Sequence, residues 1–159
     1  MDERRVFSIP LTRVPALPEK SLQNAASVLK SGQLFRYGET SADGKFVSRL
    51  EAAFAAYHGK KYAVCVNSGG GAITLALRSA GVTSKDTVLL NAFTLAPVPG
   101  SLANIGCSIE LVEITQDLIV DVEHLTSQIK LHRPKAFLLS HMRGHFGNMN
   151  EIVNICSDH

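Results

Sequence analysis

Four short apolar runs, each followed by a helical pattern of about a dozen residues, constrain the fold of this chain more than any other feature. The runs occupy residues 62–66, 87–91, 109–113 and 135–140. Strands that alternate with helices in this way are typical of a parallel sheet, and the crossovers between such strands are right-handed. We therefore predict an α/β fold in which a mostly parallel sheet has flanking helices.

The boundaries of the helices follow from glycines, prolines and capping residues. Two amphipathic helices are predicted before the first apolar run, one ending at Gly32 and the other at Gly59. Pro97 and Pro99 are compatible with a helix only if both lie in its first turn. The other expected boundaries are C-terminal ends at Gly81 and Gly106, and N-terminal starts at Asp121 and Asn148.

Composition excludes several classes of protein. With 159 residues, 45% of them apolar and 19% charged, the chain has enough apolar material for one globular core. A net charge of +2 without a dense basic cluster argues against a nucleic-acid partner. The three widely spaced cysteines lie in apolar runs, which favours free thiols in a reducing compartment and implies no metal site. Because no leader pattern and no membrane-length apolar stretch is present, we expect a cytoplasmic protein outside the membrane.

A glycine turn joins the first apolar run to a helical pattern. It consists of Asn67, Ser68, Gly69, Gly70 and Gly71. Glycines without Cβ atoms let an anion approach the unpaired amides of the helix start, and the helix dipole favours negative charge there. The turn therefore predicts a site for a phosphate or a carboxylate, with a tight strand-to-helix turn as the structural alternative.

Three better-known glycine motifs do not match this turn. A nicotinamide fingerprint needs a third glycine or alanine where Thr74 stands, and an acidic residue at the end of the next strand, which closes at Asn91. An NTP-binding loop needs a Gly-Lys-Ser/Thr ending, which is absent. A nucleophile elbow needs a glycine two residues before Ser68.

Three segments are expected at the carboxyl edge of the sheet, where ligands of such folds bind. They are the glycine turn, the loop 91–95 and the loop 140–145. His141 and His145 lack a nearby acidic or cysteine partner, so a metal is not expected there, and with Arg143 they suit an anionic ligand better. The alternative is that they are surface residues. The long loop 33–44 is of a length that is usually functional or mobile.

Together, these segments resemble the N-terminal part of DegT-type (DegT/DnrJ/StrS) sugar aminotransferases. The resemblance covers the chain from about Ser21 onward and rests on the combination of motifs. The matching segments are the glycine-containing N-terminal loop, the helix at 50–59, the run 63–69, Phe93-Thr94, and His141-Met142-Arg143-Gly144. The family's enzymes have fold type I and depend on pyridoxal 5′-phosphate. Membership implies transfer of an amino group from glutamate or glutamine to a keto sugar, usually nucleotide-linked, in a homodimer.

The resemblance also implies roles for individual residues. Ser68, Gly69, Gly70 and Gly71 would hold the cofactor phosphate, and Leu95 stands where the family has the aromatic ring that stacks on the pyridine. The family commonly has threonine at position 70, so Gly70→Thr is predicted to tighten cofactor binding. The residues implied at the rim of the active site, some of them in the loop that also borders the dimer contact, are Phe35, Arg36, Tyr37, Phe93, Thr94, His141, Arg143 and His145.

The resemblance further implies how the chain is divided and how its strands are ordered. Residues 1–44 would form a helix and the active-site and dimer loop, and residues 45–159 an incomplete cofactor-binding large domain. The strand at 135–140 would lie beside that at 87–91, with 109–113 outside it. The run 62–66 would be separated from these by strands that the chain does not contain, so that the chain alone is expected to aggregate.

Two residues of the family's chemistry are not matched. These are the Asp that pairs with the pyridinium nitrogen and the Schiff-base Lys, both of which lie further along the family's chain. None of Lys60, Lys61, Lys85, Lys130 and Lys135 stands in a matching motif. We therefore expect no catalytic residue in this chain and no activity from it alone. The alternative is a non-catalytic remnant, or half of a split enzyme, that binds an anion or a partner chain.

Overall fold

The computed structural model describes residues 14–35 and 46–159. The chain divides into two compact units, residues 1–63 and 64–159. The division of roles implied at residue 44 is a separate matter and stays a prediction. Among the described residues, no helix combines the length and the apolar character that a membrane span requires.

The described residues of the first unit form two helices, α1 (Glu19–Ser31) and α2 (Phe46–Tyr57). Gly32 ends α1 in the left-handed conformation (φ 68°), and Gly59 follows α2 with φ 60°. Both helices and both ends agree with the predictions. Little of their apolar surface is covered, since α1 contributes no buried residue and α2 contributes only Ala55.

The second unit is an α/β layer structure, as predicted. Its elements are α3 (Gly69–Ser79), β1 (Thr87–Asn91), α4 (Pro97–Ile105), β2 (Ser108–Val112), α5 (Val122–His132), β3 (Ala136–Leu138), a short 3₁₀ turn (Met142–Gly144) and α6 (Met149–Ser157). The three strands are parallel in the order β2-β1-β3. In this register Leu90 lies opposite Leu111 on one side and Leu138 on the other. The predicted neighbours of β1 are thereby confirmed.

Glycines and a capping aspartate end or start the helices at the positions predicted from the sequence. Gly81 (φ 82°) follows α3, and the amide of Val82 donates to the carbonyl of Leu77 (3.0 Å), which closes the helix with a left-handed residue. Gly106 ends α4 in the same conformation. At the start of α5, a carboxylate oxygen of Asp121 accepts hydrogen bonds from the amides of the next turn, at 3.0 Å each.

Two hydrophobic cores lie on opposite faces of the sheet. On one face α3 and α4 pack against β1 through Leu77, Leu102 and Leu90. On the other face α5 and α6 pack against the sheet through Leu125 and Ile152, together with buried residues of β1 and β2. The central strand β1 is therefore covered on both faces and paired at both edges, which is the usual environment of a parallel strand.

The prediction of a strand at residues 62–66 was wrong. These residues form no strand, and the pairing in the described part of the chain joins only β1, β2 and β3. A strand needs a neighbour that completes its ladder of backbone hydrogen bonds. Two other strands differ in extent: β2 begins one residue earlier than predicted, and β3 is confined to Ala136–Leu138 within the predicted 135–140.

Candidate functional site

From the strand order, the crevice in which ligands of such sheets bind is expected between the carboxyl ends of β1 and β3. The helix that follows β1, α4, covers one face of the sheet, and the helix that follows β3, α6, covers the other. The connections from these two neighbouring strands thus leave in opposite directions. In open α/β sheets this is the position at which ligands bind.

Asn91 ties the two sides of this crevice together. Its side chain is 2% exposed, and its amide oxygen accepts a hydrogen bond from the backbone amide of Ser140 (2.8 Å). Its amide nitrogen donates to the carbonyls of Phe93 (2.7 Å) and Ser140 (3.3 Å). The hydroxyls of Thr94 and Ser140 share a further hydrogen bond of 2.7 Å. The loops 91–95 and 140–145, predicted to share one edge, are thus joined directly.

The glycine turn starts α3 with its amides directed outward. Ser68 is the N-cap in an extended conformation, and its hydroxyl oxygen accepts from the amide of Gly71 (3.1 Å). The amides of Gly69 and Gly70 belong to the first turn of α3. Amides in a first turn have no helical carbonyl four residues earlier that could accept their hydrogen bonds. A Cβ atom added at Gly69 would meet nothing within 4 Å. Space is therefore open beside Gly69 at the start of the helix.

Gly70 is held by the neighbouring helix α4. The hydroxyl of Ser101, which is buried, lies 2.8 Å from the carbonyl of Pro97 and 3.2 Å from that of Gly70. A Cβ atom at position 70 would stand 3.3 Å from the same hydroxyl oxygen, closer than side chains usually approach. The glycine at this position thus lets α4 come close to the start of α3.

The residues around Leu95 lie between β1 and α4. Leu95 is 61% exposed, while Phe93 and Thr94 are half-buried beside the Asn91 hydrogen bonds. An exposed leucine at the start of α4 offers an apolar surface without the π face of an aromatic ring. It suits a flat ligand through contact area alone.

The loop after β3 carries the predicted histidines and arginine. The His141 and Phe146 rings lie 4.7 Å apart, while Arg143 and Gly144 both adopt left-handed conformations (φ 54° and 75°). His141, Arg143 and His145 are exposed. Among the described residues, no hydrogen bond joins this loop to the glycine turn, and no group of three or more acidic, histidine or cysteine side chains is arranged to hold a metal.

The remaining rim residues belong to the N-terminal part of the chain. Phe35 follows α1 in the first unit and is 45% exposed. Arg36 and Tyr37 lie outside the described residues. Their predicted roles remain predictions.

The lysines of the second unit lie at the opposite edge of the sheet. The amide of Lys135 donates to the carbonyl of Thr87 (2.8 Å) at the amino end of β1, and Lys85 lies two residues before that strand. Lys130, in the last turn of α5, lines a cavity of about 740 Å³ together with Lys135. This cavity is therefore on the wrong side of the sheet to include the glycine turn.

Sequence reasoning missed three polar residues that shape the site. Asn91 and Ser140 were placed at the ends of apolar runs and in the rim loops without a role of their own, and Ser101 was not singled out at all. A buried amide or hydroxyl at the end of an otherwise apolar strand was the available signal, since such groups need hydrogen-bond partners. Nothing in the sequence identified those partners.

Comparisons with known proteins extend these observations. The model of the DegT/DnrJ/EryC1/StrS aminotransferase family matches residues 15–159. The chain is 26% identical to the spore coat polysaccharide biosynthesis protein SpsC of Bacillus subtilis, over 100% of the chain and 39% of that protein. It is 28% identical to the GDP-perosamine synthase of Vibrio cholerae, over 77% of the chain and 33% of that protein.

A solved structure gives the same result for the fold. The E. coli GDP-4-keto-6-deoxy-D-mannose-3-dehydratase with bound hydrated PLP superposes with a TM-score of 0.73 at 27% identity. The match covers 91% of this chain and 37% of that one. The chain thus spans well under half the length of the relatives and of the structure it matches.

Proposed function

The chain belongs to the DegT/DnrJ/EryC1/StrS aminotransferase family, and from this premise we propose that it is the phosphate-binding and rim-forming part of a pyridoxal 5′-phosphate-dependent sugar aminotransferase. The reaction moves an amino group from glutamate or glutamine to a keto sugar, usually nucleotide-linked. The GDP-perosamine synthase among the relatives supports a nucleotide-linked sugar as the substrate class. A cytoplasmic homodimer, with a division of roles near residue 44, completes the proposal.

The observation that carries this proposal is the glycine turn at the start of α3. The amides of Gly69 and Gly70 stand in the first turn of a helix, and Ser68 and Gly69 are exposed there, which favours a phosphate group. Ser68 keeps its own hydroxyl hydrogen for an anion, because its oxygen is the acceptor in the bond with Gly71. The residues therefore fit a cofactor phosphate.

The rim residues have separate proposed tasks. Leu95 covers the cofactor ring by apolar contact, and Phe93 and Thr94 line the same side of the crevice. His141, Arg143 and His145 supply positive charge for an anionic substrate. Phe35, Arg36 and Tyr37 are proposed to border the same site. When bound, pyridoxal 5′-phosphate supplies the electron sink for amino transfer.

A second function is favoured by the positions of the lysines. Lys85, Lys130 and Lys135 are associated with the amino edge of the sheet, away from the glycine turn. Covalent attachment of the cofactor needs a lysine amine at the carboxyl edge. The alternative is thus a remnant, or one half of a split enzyme, that binds an anion or a partner chain without catalysis.

The phosphate site is tested by Gly69→Asp with Gly69→Asn as its matched control. Position 69 has room for a side chain and a negative φ, so both variants should fold. An aspartate in the first helical turn stabilises the helix but repels a phosphate. In the full chain we expect Gly69→Asp to weaken pyridoxal 5′-phosphate binding by roughly tenfold or more relative to Gly69→Asn, with no lower Tm. Equal dissociation constants for the two variants would place the phosphate elsewhere.

Covalent attachment separates the two candidate functions. We expect the 159-residue polypeptide, incubated with pyridoxal 5′-phosphate and reduced with borohydride, to show only scattered labelling of surface lysines. Peptide mapping after reduction measures this. Stoichiometric labelling of one lysine would contradict the prediction and would favour catalysis by this polypeptide itself.

A further inference from the structure

We propose that Asn91 is a positioning residue that holds both walls of the crevice between β1 and β3 in one fixed arrangement. The inference rests on the proposed function for its consequence, cofactor binding, but not for its geometry. Asn91 does not touch a substrate in this role. It acts through Phe93, Thr94 and Ser140.

The side-chain amide of Asn91 extends the sheet beyond the last backbone pair. The ladder between β1 and β3 ends where Leu90 lies opposite Leu138. Asn91 is the next residue of β1, and its side chain both accepts from the amide of Ser140 and donates to the carbonyl of Ser140, which lies two residues beyond Leu138. A side-chain amide therefore replaces the peptide group that would normally pair at this position, while the backbone of Ala92 still pairs with β2 through Val112 (2.9 Å).

The chemistry of the site selects asparagine. The oxygen of the amide faces an N–H donor, and its nitrogen faces two carbonyl oxygens. Only one orientation of the amide satisfies all three groups, since the reversed orientation would place a donor against a donor and an acceptor against two acceptors. With the side chain 2% exposed, water has little access to replace a lost partner.

The same arrangement fixes the two rim segments relative to each other. Phe93 is held through its carbonyl, and Thr94 is held through the hydroxyl of Ser140 at 2.7 Å. His141 follows directly on Ser140, whose amide and carbonyl are both bound by Asn91. One side chain thus sets the separation of Thr94 on one wall from His141 on the other.

The test compares Asn91→Ala with Val88→Ala in the full chain. Val88 is a fully buried residue of the same strand. Its apolar side chain forms no hydrogen bond with either loop, so its variant controls for general destabilisation. Amide hydrogen exchange is the first measurement. In Asn91→Ala we expect residues 92–95 and 140–145 to lose protection together, by roughly tenfold, while Val88→Ala shows no such selective loss. Loss in one loop alone, or in neither, would overturn the inference.

Cofactor binding is the second measurement. At a temperature where both variants are folded, we expect Asn91→Ala to raise the dissociation constant for pyridoxal 5′-phosphate roughly tenfold and Val88→Ala to leave it unchanged. Joint loss of protection with an unchanged dissociation constant would overturn the positioning role. Failure of the unmodified chain to bind the cofactor would instead refute the proposed function, and the exchange experiment would still decide whether Asn91 joins the loops.

A milder variant serves if Asn91→Ala does not fold. Ser140→Ala removes only the hydroxyl bond to Thr94 and keeps the backbone groups that Asn91 binds. We expect a weaker cofactor affinity with an unchanged unfolding midpoint. An unchanged affinity would show that the position of Thr94 does not depend on this network, against the inference.

Discussion

Two apolar runs of similar composition differ in structure: one forms a strand and the other does not. Residues 87–91 form β1, paired on both sides, with Val88 fully buried. Residues 62–66 form no strand, and Tyr62 and Val64 are 76% and 61% exposed. Their side chains have comparable strand propensity. The comparison teaches that strand formation here depends on neighbours that supply backbone partners and cover both faces.

The largest expected effect concerns association of the 159-residue polypeptide. Tyr62 and Val64 expose apolar surface, and β3 is an edge strand of the sheet in the described part of the chain. Exposed apolar surface and strand edges of this kind pair with other chains. We expect aggregates or oligomers in size-exclusion chromatography with light scattering. Val64→Lys should reduce association, because a charge on an unpaired strand opposes pairing.

A monodisperse monomer with cooperative thermal unfolding would break the comparison. It would mean that the run 62–66 finds a partner within the polypeptide. Leu131→Lys, at an exposed apolar position on α5, is the control. If Val64→Lys reduces association and Leu131→Lys does not, the run 62–66 is the segment that associates.

The second prediction applies the same substitution to both runs. Val88→Ala removes buried methyl groups from a packed core and should cost about 1.5 to 3 kcal/mol of unfolding free energy. Val64→Ala alters a mostly exposed side chain and should change the unfolding free energy by about 0.5 kcal/mol or less. Urea unfolding under conditions that keep the chain monomeric measures both values. Equal costs would indicate that Val64 is buried in solution.

The third prediction concerns the helices that follow the two runs, which meet at Gly70 and Ser101. Gly70→Thr adds a hydroxyl near the proposed phosphate, but its Cβ would lie 3.3 Å from the Ser101 hydroxyl. We expect tighter cofactor binding, by about 1 kcal/mol, only when Ser101→Ala relieves this contact. The four proteins of the double-mutant cycle, with pyridoxal 5′-phosphate titrations, measure the coupling. Tighter binding by Gly70→Thr alone would show that Ser101 moves freely.

The smallest effect is expected in the turn that leads into β1, where Thr83 and Asp86 are joined by hydrogen bonds. The Thr83 hydroxyl and amide each donate to one carboxylate oxygen of Asp86 (2.7 Å each), and these bonds lower the pKa of Asp86 below its usual 3.8. The carboxylate therefore stabilises the fold above about pH 3.8, and this contribution is lost as pH falls through the lowered pKa. Acid unfolding of Asp86→Asn, compared with Asp117→Asn on another turn, measures it. An identical pH dependence in both would contradict the assignment.

The local elements were the most predictable part of this protein. The ends of the helices at Gly32, Gly81 and Gly106 were correct, because a left-handed residue after a helix is a local requirement that glycine meets best. The N-cap of α5 at Asp121 was correct for the same kind of reason. The α/β class and the strand at 87–91 followed from the alternation of apolar runs with helical patterns.

The location of the candidate site stays a prediction, and the hydrogen bonds that connect its residues were not predictable from the sequence. The glycine turn before a helical pattern predicted an anion site at Ser68 to Gly71. The contacts of Asn91 with Ser140 and of Ser101 with Gly70 join residues 49 and 31 positions apart. No local pattern encodes such pairs, because they depend on which strands become neighbours.

The sequence by itself determined the alternation of strands and helices, the helix ends and the glycine-rich helix start, since each depends on φ preferences and on hydrogen bonds within a few residues. The tertiary structure alone decided that residues 62–66 are not a strand, that β1 lies between β2 and β3, and that a buried amide spans the crevice. The physical reason is that a strand completes its backbone hydrogen bonds only with a neighbour, and the neighbour is chosen by packing over the whole domain.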